Sequence, residues 1–189
     1  MVWSWEWQPT DVALHLLPLH HVHGAINILS CAAFAGACCE FQHFRCEDVW
    51  NRLADAARQD KEDDIMQASG EITSEKPKEK KRLRKPNVLM AVPTIYSKML
   101  EAAEHHVIEP AIIEDAAKTL SDMRLMISGS AALPVSLNER WKNLTGHILL
   151  EVSLEFLPHG NACCRLLAND PYLYTNMFNF TLASFRDMA

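Results

Sequence analysis

Three histidines crowd into seven residues, P-L-H-H-V-H-G at Pro18–Gly24, with His15 just upstream. Imidazoles at this density suit three roles: metal ligands, contacts to a bound substrate, or rings packed at the end of a strand. No Cys, Asp or Glu stands beside them at ligand spacing, which counts against a metal. On the residues alone the three roles stay open. A second cluster is S-G-S-A-A at Ser128–Ala132. Five small residues in a row either let the main chain approach a ligand closely or simply make a tight turn. A third is Pro93-Thr94-Ile95-Tyr96, a proline where a strand would hand over to a helix. The six cysteines include two vicinal pairs, Cys38-Cys39 and Cys163-Cys164, and no CxxC, so neither a zinc ribbon nor a thioredoxin-type site is supported.

The elements that must hold these clusters alternate. Asp11–Leu17 (D-V-A-L-H-L-L) is a nearly unbroken apolar run that predicts a strand buried on both faces, stopped by Pro18. Gly24–Ala35 is small and apolar on most sides and predicts a buried helix ended by Gly36. Ala37–Phe41 reads as the next strand, and Glu47–Arg58 as an amphipathic helix with Val49, Trp50, Leu53, Ala56 and Ala57 inward. Further units follow: a strand over Val88–Val92, a helix from Pro93 to about His106, and a helix from Pro110 to Leu120. Then come a strand over Arg124–Ile127, a short helix over Leu137–Asn143 and a strand over His147–Val152. Strands alternating with helices predict right-handed crossovers, hence an α/β fold with a mainly parallel sheet. In such sheets ligands collect outside the carboxyl ends of the strands, where all three clusters fall.

Composition narrows the function class. The 189 residues suit one domain, and 49% hydrophobic with 22% charged residues is globular composition. A net charge of −6 argues against a nucleic-acid binder, which needs a basic face for phosphates. No apolar run approaches the ~18 residues of a membrane span. The start lacks a basic n-region and an apolar h-region, so an intracellular location, cytoplasmic or mitochondrial, with reduced thiols is expected. Residues 59–87 carry an acidic block and then a basic one with few large apolar side chains, and they read as an exposed, flexible insertion. Ser153–Ala189 follows no clean period; one helix near Ala162–Ala168 and another toward the C-terminus are expected there. The expected division is a domain over 1–152 and a divergent segment over 153–189.

Four strings in order, P-L-H-H-V-H-G, M-A-V-P-T-I-Y (Met90–Tyr96), R-L-M-I-S-G-S-A-A-L-P (Arg124–Pro134) and W-K-N-L-T-G-H-I-L-L-E (Trp141–Glu151), resemble the acyl-adenylate-forming acyl-CoA synthetases. Within that family they look most like the malonyl-CoA synthetases. The resemblance implies the large N-terminal domain of the adenylate-forming fold, an acid–thiol ligase chemistry, and ATP, Mg²⁺ and CoA as cofactors. It implies a small carboxylic acid, malonate, as substrate. It puts His21 in the acyl and adenylate pocket, lays Ser130, Ala131 and Ala132 against the adenine and acyl group, and keeps Glu151 as a site glutamate. Pro93, Thr94 and Tyr96 fall near the acyl channel.

The departures carry their own expectations. The family's phosphate loop precedes the first strand and is not in this sequence, nor is the C-terminal domain with its lysine. After Glu151 the malonate branch continues R-Y-G-M-T-E; here Val152 stands for the arginine, Phe156 for the threonine and Leu157 for the magnesium glutamate. Glu155 takes that last role only with a two-residue shift. The chain is therefore expected to be a fragment truncated at both ends and inactive alone. The alternatives are a non-catalytic binding or regulatory module, associating with itself or a full-length synthetase, and a gene-model artefact.

Overall fold

In the computed structural model the described residues are 2, 3, 5–69, 83–156 and 162–167. Six strands form one sheet: β1 (Val12–His15), β2 (Cys38–Phe41), β3 (Val88–Ala91), β4 (Leu125–Gly129), β5 (Leu150–Phe156) and β6 (Ala162–Leu167). Their spatial order is β2-β1-β3-β4-β5-β6. The first five are parallel, and β6 pairs antiparallel with β5 in the register Glu151 opposite Leu167 to Phe156 opposite Ala162. The α/β, mainly parallel architecture is the one the alternating pattern predicts. The unbroken apolar runs have the expected consequence, because every residue of β1, β3 and β4 is buried.

Between β1 and β2 the chain forms a π-helical segment, His23–Ser30, that runs into α1 (Cys31–Ala35). Gly36 ends α1 in the left-handed region at φ 70°. The other helices are α2 (Cys46–Ser69), α3 (Pro93–Glu104), α4 (Pro110–Ser121) and α5 (Val135–Thr145), the last closed by left-handed Gly146. Right-handed crossovers put α2 to α5 on one face of the sheet and the π-helical segment with α1 on the other. On the first face α2 packs on α4, and α3 on α5. The Thr119 hydroxyl donates to the Leu53 carbonyl at 2.8 Å, and the Trp50 indole donates to the Met99 carbonyl at 3.3 Å.

Three elements depart from the sequence reading. Strand β5 runs Leu150–Phe156, starting after the expected His147 and passing the expected end at Val152. Helix α2 does not stop at Arg58 but runs on to Ser69, into the stretch read as an insertion. The extension has few apolar residues and is held by charge: Arg58 and Lys61 both reach Asp115 on α4, and Asp60 receives Lys85 at 2.5 Å. Within that stretch residues 70–82 lie outside the described residues, and 83–87 lead into β3 with Pro86 buried. Ala162–Leu167, expected as a helix, is strand β6. A-C-C-R-L-L has no strong preference of its own, and the open edge of β5 supplies backbone partners that decide the matter. The expected terminal helix falls among residues 168–189, outside the described residues.

The amino ends of the central strands are tied by one carboxylate. Buried Asp11 accepts from Arg124 Nε at 3.0 Å and Nη2 at 2.6 Å, from Asn87 Nδ2 at 2.9 Å and from the Gln8 amide at 2.9 Å. Asn87 Oδ1 in turn accepts from the Val12 amide at 2.8 Å, so β1, β3 and β4 are aligned at one point.

Candidate functional site

At the carboxyl ends of the strands the sheet order creates a crevice. From β1 the chain goes outward to β2, then crosses back to β3 on the other side. The join between β1 and β3 is therefore a topological switch point, where loops diverge and leave room for a ligand. The exposed loop Pro18–Val22 leaves β1 there, and Pro93 and Thr94 leave β3. One strand further, Ser130, Ala131 and Ala132 leave β4, all three exposed.

His21 is exposed, its ring against that of His20 with centroids 4.2 Å apart and planes tilted by 45°. His23 is different. Its ring is buried, 4% exposed, at the start of the π-helical segment. It lies on Gly129: a methyl group there would sit 2.4 Å from His23 Cε1. Its Nδ1 is 3.2 Å from the Ser130 hydroxyl, and Ser130 is held at φ 66°, in the left-handed region that non-glycine residues seldom adopt. One bond thus joins the loop after β1 to the turn after β4. Burial pushes the His23 imidazole down to about 4, so it is neutral at pH 7. His23 Nε2, Asn27 Oδ1 and Ser128 Oγ are buried without a hydrogen-bond partner among the described residues.

Glu151 does not face outward as a free carboxylate. Its Oε1 accepts from the Leu133 amide at 3.0 Å and fixes the far end of the Ser130–Ala132 turn from β5. Pro93 is buried at the first position of α3, and Thr94 is exposed beside it. Tyr96, expected near an acyl channel, is fully buried. Its hydroxyl donates to the Ile127 carbonyl at 2.8 Å and its ring meets Trp141 edge to face at 4.9 Å. It braces α3 against β4 and α5, because a phenol in the core needs an acceptor and finds one on the strand backbone. Val152, at the expected arginine, is buried and apolar. The side chains of Glu155, Phe156 and Leu157 lie outside the described residues.

The structure therefore brings His23, Ser130 and Gly129 together, with Glu151 behind the turn, and leaves His21 on the surface. His23 is one of the three clustered histidines in the sequence, but the resemblance assigns the pocket to His21. The available signal for His23 was that it directly precedes the buried apolar run from Gly24, whereas His20 and His21 follow a proline on the solvent side. Among the described residues no three His, Cys, Asp or Glu side chains converge. A turn of exposed small residues does suit a flat group resting on the main chain.

No family model matches the chain. It is 40% identical over 154 residues to the human mitochondrial malonate–CoA ligase ACSF3, and 32% identical over 149 residues to the Arabidopsis thaliana malonate–CoA ligase. These matches take in 80% and 78% of this chain but only 22% and 21% of the relatives, so the chain spans about a fifth of their length. Apo MatB from Rhodopseudomonas palustris superposes with a TM-score of 0.57 at 25% identity, over 89% of this chain and 26% of that one. A malonyl-CoA ligase complex with methylmalonyl-CoA and AMP superposes with a TM-score of 0.56 at 27% identity, over 80% of this chain and 25% of that one.

Proposed function

We propose, on the premise that this chain belongs with the adenylate-forming CoA ligases over four fifths of its length, that it forms the acyl-adenylate wall of an ATP-dependent acid–thiol ligase, with malonate as the acid. The observation that carries this reading is the hydrogen bond between His23 and Ser130, which joins the two strand-end elements into one continuous surface at the crevice. In this reading the main chain of Ser130, Ala131 and Ala132 supports the adenine and acyl group, His21 and Thr94 reach the ligand from the rim, and Pro93 sets the direction of α3. Glu151 holds the turn. ATP and CoA belong to the complete reaction, in which a carboxylate and ATP give an acyl-AMP and pyrophosphate before a thiol attacks.

A second reading, binding without turnover, is favoured by the chain's own residues. Val152 offers no charge to a second carboxylate. Adenylyl transfer from ATP to a carboxylate, with pyrophosphate leaving, depends on charge stabilisation, and removing a single stabilising donor commonly costs ~10²–10³ in rate. The mitochondrial names of the animal relatives support a mitochondrial location.

The test is calorimetric titration of the chain with a non-hydrolysable malonyl-adenylate analogue and with AMP, beside an assay of malonate-dependent pyrophosphate release. Binding of the analogue, weakened at least tenfold by Ala131→Trp, supports the wall. No binding by a folded chain refutes it. Pyrophosphate above a no-protein control would replace binding by catalysis.

A further inference from the structure

The loop that carries His20 and His21 is a closed ring with a narrow neck, and one buried side chain ties the neck. His15, the last residue of β1, is 1% exposed. Its Nδ1 lies 3.3 Å from the Leu17 amide, and its Nε2 lies 3.0 Å from the Gly24 carbonyl. An amide nitrogen can only donate, so Nδ1 is an acceptor without a proton. The neutral ring then carries its proton on Nε2, which donates to Gly24. Each nitrogen has one partner, and the two partners stand on opposite sides of the neck. The His15 ring is itself backed by Phe41 on β2, with centroids 4.9 Å apart and planes at 28°.

The neck has no slack. A methyl group at Gly24 would lie 2.6 Å from the Pro18 carbonyl oxygen, 3.2 Å from Leu17 Cβ and 3.3 Å from His15 Cε1. Beyond the neck, the His21 amide donates to the Pro18 carbonyl and the Ala25 amide to the His21 carbonyl, so these bonds tie the tip back to the neck. His23 is the residue directly before Gly24. Its position over Gly129 and its bond to Ser130 therefore inherit their accuracy from the Gly24 carbonyl.

We propose that His15 is a positioning residue: through its Nε2–H bond to the Gly24 carbonyl it sets the place of His23, and through His23 the conformation of the Ser130 turn. The importance of that role rests on the ligase reading above, but the role itself does not. It also assigns a use to an imidazole that is almost wholly buried.

Two glutamine-like substitutions separate the two bonds. His15→Gln places an amide donor near Nε2 and can keep the Gly24 bond. His15→Asn places an oxygen near Nδ1 and keeps only the Leu17 bond. His15→Leu keeps neither. The measurement is long-range proton–nitrogen correlation of the imidazole rings in the uniformly labelled full chain, with thermal unfolding of each variant alongside. Wild-type His15 is expected in the Nε2–H form. The His23 ring nitrogens are expected unchanged in H15Q, and shifted toward those of exposed imidazoles in H15N and H15L. An Nδ1–H form of wild-type His15 overturns the proposal, and this outcome does not depend on any variant folding. So does H15L with a lowered melting temperature but unmoved His23 resonances, which is what a merely structural role gives. Analogue affinity is measured in parallel and should fall at least tenfold in H15L and less than threefold in H15Q. If the wild type binds no analogue, the ligase reading fails while the tautomer and His23 results still decide the role of His15.

Discussion

Gly129 and His23 share one space, and the sharing can be measured. Gly129→Ala would put a methyl group 2.4 Å from His23 Cε1, so the ring must leave its place or the turn must move. The expected cost is about 1–3 kcal/mol, read as a lower urea midpoint, because the displaced contact is a packed ring and not a flexible tip. His23 also sets a pH dependence. Its imidazole titrates near 4 when folded and near 6.5 when unfolded. Above about 6.5 both states are neutral and the group has no effect. As pH falls through that value the unfolded chain takes up a proton that the folded chain refuses, so folding is disfavoured until pH reaches about 4. At roughly 1.4 kcal/mol per pH unit the loss approaches about 3 kcal/mol. Urea unfolding between pH 7 and pH 4 should show this decline in the wild type and a smaller one in His23→Gln. Equal slopes would mean that the ring is not buried as described.

At the scale of elements, the alignment of β1, β3 and β4 hangs on Asp11. Burial on its own would raise that carboxyl. The Arg124 guanidinium, the Gln8 amide and Asn87 outweigh it and hold the carboxyl below its usual range. Its contribution is therefore present above the ordinary carboxylate range and is lost as pH falls below it. Asp11→Ala leaves Arg124 without its carboxylate and should cost about 3–5 kcal/mol in urea unfolding. A loss under 1 kcal/mol would mean the network is replaceable by water. Elements whose apolar pattern decides their structure were legible in the sequence. β1, β3 and α4 fall within a residue or two of their expected bounds, because V-A-L-H and V-L-M-A have nowhere to go but the core. Helix α2 past Arg58 and strand β6 were not legible, because each depends on a distant partner: Asp115 and Lys85 for the helix, the β5 edge for the strand. The crevice was legible as strand ends, but which histidine turns inward depends on Gly129, far away in sequence.

For the molecule as a whole, the face carrying the π-helical segment and α1 exposes Val22, Ile26 and Phe34, with Leu19 and Phe41 also exposed nearby in sequence. Apolar side chains outside a core promote association when they gather on one face. Light scattering after size-exclusion chromatography should show mass rising with concentration. Ile26→Ser with Phe34→Ser should return the chain toward a monomer of about 21.4 kDa. A wild type that stays monomeric at every concentration would show these residues to be too scattered to act together. The strand order has a last consequence, for the chain while it is being made. β1 precedes β2 and β3 in the chain but ends up between them, with β2 on one side and β3 on the other. As the polypeptide leaves the ribosome, β2 is available soon after β1. The opposite edge of β1 must wait for Val88. At about 5–20 residues per second, the stretch from Phe41 to Val88 takes roughly 2–10 seconds to synthesise. Throughout that interval an apolar strand edge stands open, so a chaperone that binds extended apolar segments should be found on nascent chains of this length and released once β3 has emerged.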